Sequence, residues 1–586
     1  MLQFDSQVVR VTWERIHFYV TVKISNRVSL SEHAYFYLLN QSHRVETFFE
    51  VINHTDNEYL LKLNITNNGL NRCINNGVYS ILIVEPGIAY SEPLFYGTTS
   101  ELESWGRCFR YLGSTGAYTV TFMLDEYSEK PRLQLLFYNM VKRGMGNLIS
   151  MPALGKPASS PKFKKVRKLV SAFKDTIKKR EKPYSRKLQK FVYRFFTKHY
   201  KKHEKQNILF LSEQDNKLAL NMNAIYQRLQ ERGLKKDFHI SFSLRKATSQ
   251  KQSFSSTLHM VRLIAEADII LVDDHVPIFD WLVLNKKTKL IQIWHAGAGF
   301  KGVGYSRWGH FGCPGPFSCH RQYTYAISGS KNISSFFSEQ FGITDEQIIP
   351  TGMPRMDQFL NPEYREQTRK KLLEFFPSIQ GNFVILFAPT YRGQNRKNAY
   401  YPYDMIDFHA LYKYCSENNS VILFKMHPWV PGKVPFPESY KDRFFDLNHY
   451  SNINDLFYIS DLLITDYSSS IYEFSLLNKP MLFFAFDKVQ FSTSRGFHRN
   501  YDENVPGKIC ETFGELIQAI ESKDFEFEKC KDYVAHHFEH TDTNNSDRVI
   551  DWLILGQLPE IYRNAQSRQQ QRIKAERGKS FAELFK

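Results

Sequence analysis

"DLLITDYSSSIYEFSLLNKP", residues 461–480, runs a short apolar stretch into an aspartate, a tyrosine and three serines and then starts a helix. Leu462, Leu463 and Ile464 have the unbroken apolar character of a strand buried on both faces, whereas Ile471, Phe474, Ser475 and Leu477 recur at helical spacing. Strand, turn and helix make half of a βαβ unit, and the turn falls where a parallel sheet receives ligands. Unpaired N–H groups and the positive dipole end of the helix, with the hydroxyls of Ser468, Ser469 and Ser470, suit a phosphate. A plain helix cap at Ser468 or Ser469 is the competing reading.

The same texture extends in both directions. NILFLSE, DFHISFSL, ADIILVDD, TKLIQIWHAG and YTYAISGS form one set of apolar strands between helical stretches, and NFVILFAPT, VILFKMHP, DLLITDYSSS and PMLFFAFD form another. Two such sets predict an α/β chain with two Rossmann-like lobes, residues 207–360 and 361–555, joined across a charged helical stretch. Residues 1–140 alternate apolar and polar side chains in runs such as VTWERIHFYVTVKI and GVYSILIV, with Asn-Asn-Gly turns between runs, so a small β-rich domain is expected there. Residues 556–586 read as a polar C-terminal helix or tail.

Charge is concentrated in one place. Residues 141–206 hold 21 Lys and Arg against three Asp and Glu, which accounts for the whole net charge of +17. Phe163, Val166, Leu169, Val170, Phe173 and Ile177 keep helical spacing there, and Leu188, Phe191, Val192, Phe195, Phe196 and Tyr200 resume it after Lys182-Pro183. Such a basic amphipathic helical segment fits an anionic membrane surface, with Lys164, Lys165, Lys168, Lys178 and Lys179 as the contacting cations. A nucleic-acid patch would instead interleave aromatic residues with charge on an exposed sheet; a helical hairpin packed on its own domain is the third reading. Membrane rather than nucleic acid is therefore the expected partner. No apolar run approaches the roughly 20 residues of a membrane span, no secretory leader opens the chain, and the seven cysteines are odd in number and scattered. A cytoplasmic protein, peripheral on the inner face of the cell membrane, is expected, and its oligomeric state stays open.

Taken in order, IQIWHAGAGFKGVGYSRWG, PTGMPRMDQF, FAPTYRG, FKMHP, ITDYSSSIYEF, and RGF with the later YDENVPG resemble the CDP-glycerol glycerophosphotransferase family, which holds teichoic acid primases and polymerases including CDP-ribitol-using ones. Trp13-Glu14-Arg15, in the β-rich region, is similar to the leading domain of the ribitol-phosphate polymerases. The resemblance implies two lobes of the glycosyltransferase B type, the second holding a CDP-alditol. It further implies attack by a terminal hydroxyl of a lipid-linked anionic polymer on the alditol phosphorus, with CMP leaving. On this reading His295 is the base and His427 stabilises the diphosphate and leaving CMP. Arg392 offers a fork to phosphate, Ser468, Ser469 and Ser470 cradle the diphosphate, Asp466 orients that turn, and Glu473 binds the nucleotide ribose. Arg355 and Arg495 are either further donors to the CDP-alditol or surface ion pairs. The family form Trp-His-Gly-Thr-Pro departs here at Ala296 and Ala298.

No metal site is read. His310, Cys313, Cys319 and His320 match no common zinc spacing, and Asp273-Asp274 falls in the first lobe; the one cofactor admitted is a divalent cation on the donor diphosphate. Two further classes fit parts of the chain: a two-lobed glycosyltransferase using a UDP-sugar, which CMP release would separate, and a basic nucleic-acid-binding protein.

Overall fold

The structure, a computed structural model, describes residues 2–579 and 583 except 26–29, 32, 56, 112–115, 126–127, 142–185, 201–203, 219, 247–251, 295–296, 298–299, 311 and 394–395. His295 and the five lysines from Lys164 to Lys179 lie outside the described residues.

The N-terminal region is a sandwich of two largely antiparallel sheets, one of eight strands and one of four. Alternation decides its layers: in the strand His17–Ile24, Phe18, Val20 and Val22 turn inward while Tyr19 and Thr21 are partly exposed. These meet Ile81, Ile83, Tyr118, Val120, Leu135 and Phe137 of the facing sheet. The same core admits Tyr305 and Trp308 from the next domain, and Trp308 lies 5.3 Å from the Phe109 ring, stacked at 18°. Losing an indole buried this way costs about 3–5 kcal/mol, so the segment carrying it is pinned to the sandwich.

Two six-stranded parallel sheets follow. The first runs in the order Phe238–Leu244, Gln206–Ser212, Ile269–Val272, Lys289–Gln292, Tyr325–Ile327, Ile348–Ile349. The second runs Phe444–Asp446, Ser420–Phe424, Phe383–Phe387, Leu462–Thr465, Met481–Phe484, Lys508–Cys510. Leu462–Thr465 is buried at every residue, as a central strand covered on both faces must be. Its neighbour Phe383–Phe387 begins the lobe, so strand order reverses between these two and a crevice opens beyond their carboxyl ends.

The chain then returns to the first lobe. Val549, Ile550, Leu553 and Ile554 pack against Ile208, Phe210 and Ile269, and Asp547 accepts hydrogen bonds from Arg228 and Arg232 at 2.9–3.0 Å. The boundary at 555 read from sequence therefore assigns to the second lobe a segment that completes the first, because its apolar composition suits either. The helix Glu560–Glu576 continues to the sandwich, where Arg577 donates to Glu46 at 2.8 Å. It straps two domains together.

Candidate functional site at the crevice between the lobes

The lobes touch through backbone. Gly302 N–H donates to the Gly496 carbonyl and His498 N–H to the Phe300 carbonyl, at 3.2 and 3.0 Å. A side chain at Gly297 would run into the ring of Tyr472, so only glycine lets these chains cross. Gly297, Phe300 and Gly302 of the first lobe are thereby laid against the second.

Those loops are organised by Arg392. Its guanidinium donates to both oxygens of Asp487 at 2.6 and 2.9 Å, to Asp466 at 2.8 Å and to the Thr390 carbonyl at 2.7 Å. The rings of Tyr401, Tyr467 and Phe486 surround it within 5.2–5.6 Å. The two carboxylates raise its pKa although burial opposes them. The fork read from sequence as facing a phosphate is thus committed to two aspartates, and Arg392 holds the site's shape. Asp466 serves both halves of the site, accepting also from Thr390 N–H at 2.7 Å and from Tyr467 N–H.

Positive charge without a carboxylate partner lies beside this clasp. Among the described residues neither Lys301 nor Arg495 forms an ion pair; Arg495 donates to the Gly393 carbonyl at 2.8 Å and stacks over Tyr391 at 4.6 Å. Burial lowers the Lys301 amine to about 8, helped by Arg495 and Arg392 and opposed by Asp466. His427 stands at the end of the strand Ser420–Phe424, its ring between Tyr391 at 4.5 Å and Trp429 at 5.4 Å. Burial, then Lys301, Arg495 and Lys425, lower its pKa to about 4, so at neutral pH the imidazole is uncharged. Its Nδ1 accepts from Trp429 N–H at 3.2 Å, which leaves the proton on Nε2. The crevice therefore combines two cations and one neutral N–H donor, a set matched to an anion such as a diphosphate.

The serine turn is shorter than its sequence suggests: the helix after it is only Ile471–Ser475, and Ser470 makes no side-chain cap. Ser470 Oγ instead donates to Ser468 Oγ at 2.9 Å, while Ser469 is exposed. Glu473 is buried and pairs with Arg355 across the lobes. The sequence places Glu473 on the nucleotide ribose and Arg355 either on the donor or in a surface ion pair; here the two pair with each other, and among the described residues Arg355 Nε is buried with no hydrogen-bond partner. Three residues were overlooked. Lys301 lies inside the quoted GFKG run, Asp487 ends AFD just past a strand, and Tyr467 donates to Asp487 at 3.0 Å. The rule that flagged the other strand ends applies to Asp487 as well. Among the described residues no group of three His, Cys, Asp or Glu converges as a cation site.

A family profile described as CDP-Glycerol:Poly(glycerophosphate) glycerophosphotransferase matches residues 163–555. Over 346 residues the chain is 37% identical to the teichoic acid ribitol-phosphate polymerase TarL of Staphylococcus aureus, covering 58% of this chain and 61% of that one. It is 36% identical over 354 residues to a teichoic acid poly(ribitol-phosphate) polymerase of Bacillus spizizenii, covering 60% of this chain and 57% of the relative. Under two thirds of either relative is thus matched. A solved structure of the wall teichoic acid polymerase TagF covers 70% of this chain and 99% of its own, at 22% identity and a TM-score of 0.47.

Proposed function

The chain belongs to the CDP-glycerol:poly(glycerophosphate) glycerophosphotransferase family, and from that premise we propose that it transfers an alditol phosphate from CDP-glycerol or CDP-ribitol to the terminal hydroxyl of a lipid-linked teichoic acid-type polymer. The hydroxyl oxygen attacks the phosphorus bearing the alditol, the bond to the bridging diphosphate oxygen breaks, and CMP leaves. The two parallel sheets act as lobes of the glycosyltransferase B type, with the donor on the second. The observation that carries this reading is the pair Lys301 and Arg495, cations that form no ion pair among the described residues, beside a neutral His427 at a strand end. Their charge offsets the diphosphate and the CMP as it departs. His295 takes the hydroxyl proton, Ser469 and Ser470 contribute donors, and Glu473 with Arg355 faces the nucleotide.

Incubating the full chain with CDP-glycerol or CDP-ribitol and a lipid-linked primer is expected to release CMP with one of the two donors. CMP from neither, with release of UDP from a UDP-sugar, would return the chain to the glycosyltransferases.

The acceptor is met at an anionic membrane surface. No helix among the described residues is long and apolar enough to cross a membrane. The helix 186–199 supports surface contact instead: Leu188, Phe191 and Phe195 are 41%, 65% and 47% exposed, while Gln189 and Tyr193 are buried against the first lobe. Lys187, Lys190, Arg194 and Lys198 are exposed around that apolar row. Each cation near anionic lipid adds about 1 kcal/mol, so Lys187→Glu, Arg194→Glu and Lys198→Glu together should move most of the protein to the supernatant in sedimentation with anionic liposomes. Transfer to a short soluble acceptor should persist, and unchanged sedimentation would refute the surface role of this helix.

A further inference from the structure

Beyond the crevice, a cavity of about 570 Å³ lies between the β-sandwich and the first lobe, lined by Tyr111 and Asn139 on one side and by residues 274, 275, 280, 294, 303, 304, 307, 312–318 and 320 on the other. It sits past the carboxyl ends of Ile269–Val272 and Lys289–Gln292. Residues 300–302 touch the second lobe, and Arg307 on the same segment lines the cavity, with Trp308 pinning the segment into the sandwich. Cavity and crevice are thus neighbours along one short stretch of chain.

Its chemistry is mixed in a particular way. Asp274 and Asp280 supply acceptors, and His275 Nε2 lies 3.2 Å from Asp280. Gln292 donates to the Tyr323 hydroxyl at 2.8 Å, and that hydroxyl is hydrogen-bonded to His320 Nδ1 at 2.7 Å. Arg307 is the arginine of the wall, and the rings of Trp294 and Phe317 add apolar faces, Phe317 being 75% exposed. A nucleoside diphosphate would meet carboxylates here with one arginine to offset them, which disfavours it. A polyol linked through phosphodiesters fits: hydroxyls bond to carboxylates and imidazole, each linkage carries a single negative charge for Arg307, and carbon chains lie on the rings.

We propose that this cavity is the acceptor subsite, holding the alditol phosphate unit that precedes the reacting hydroxyl. This inference rests on the transferase reading and gives the β-sandwich a part in it, since Tyr111 and Asn139 form one wall. It separates acceptor from donor recognition, because the donor's cations lie in the crevice.

The test uses the full chain, both CDP-alditols, and synthetic trimers of glycerol phosphate and ribitol phosphate. Asp280→Asn with Phe317→Ala changes two exposed side chains and leaves the core intact; Arg307→Gln removes the phosphodiester partner. Each is expected to raise KM for the trimer at least about tenfold, the loss of a charge-assisted hydrogen bond, with KM for the CDP-alditol within about twofold. Trimer KM unchanged in the double variant, or both KM values rising together, would overturn the subsite. Should the parent release no CMP from either donor, the transferase reading fails, and saturation-transfer NMR of the trimers decides the cavity by itself. Signal lost in the double variant supports it, and equal signal overturns it.

Discussion

His427→Ala should lower CMP release by at least about a hundredfold, the scale on which a donor aimed at developing charge contributes to phosphoryl transfer. The imidazole stands among Lys301, Arg495 and Lys425, which with burial bring it to about 4 and keep it neutral, so its Nε2–H is available without titrating near neutral pH. In the proposed transfer, the charge of an entering diphosphate would favour the protonated form, and the ring would gain affinity for the transition state as CMP departs. The fold should tolerate the change, because the half-buried ring packs between Tyr391 and Trp429 at the crevice edge. His427→Gln, whose amide can occupy the place of Nε2, should recover part of the loss. Near-parental turnover in the alanine variant, with unchanged melting temperature, would remove His427 from the chemistry.

Strand ends were legible in the sequence because a buried parallel strand is an unbroken apolar run that stops abruptly at its polar end. Leu462–Thr465 stopping at Asp466, and Ser420–Phe424 leading to His427, follow directly from that rule. Partnership was not legible. Whether Arg392 faces a ligand or two aspartates depends on Asp487, 95 residues away, and no local pattern carries that distance. Arg355 and Glu473 pair across 118 residues for the same reason. The return of Val549–Ile554 to the first lobe was hidden because apolar periodicity says that a face is buried without saying against what. The basic segment shows the same limit: Val192 and Tyr193 pack on the first lobe while Leu188, Phe191 and Phe195 stay outside, so one amphipathic pattern serves two surfaces.

Glu339→Gln is expected to cost about 3–5 kcal/mol of stability, the range for stranding buried charges by removing their partner. Glu339 is buried on the helix Ser334–Phe341 of the first lobe. Arg499 donates to it at 2.8 and 2.9 Å and His498 at 2.8 Å from the loop beyond the crevice, and Arg15 at 3.3 Å from the β-sandwich. One carboxylate therefore ties three parts of the molecule. Burial alone would raise its pKa, yet His498, His17 and Arg499 hold it well below the carboxylate range. Because the folded pKa is depressed, the stabilisation is complete above the unfolded value near 4.5 and is lost as pH falls through the folded one. His17 and His498 act in the adjoining window: burial lowers each to about 4, so between about 6.5 and 4 the unfolded chain binds more protons and the parent loses stability on acidification. In Glu339→Gln the first contribution is absent, so the gap in melting temperature between parent and variant should be constant near neutrality and narrow below about pH 4.5. A gap that is absent at pH 7, or that does not change down to pH 3.5, would mean that the cations around Glu339 find other partners and that the carboxylate does not hold the three parts together.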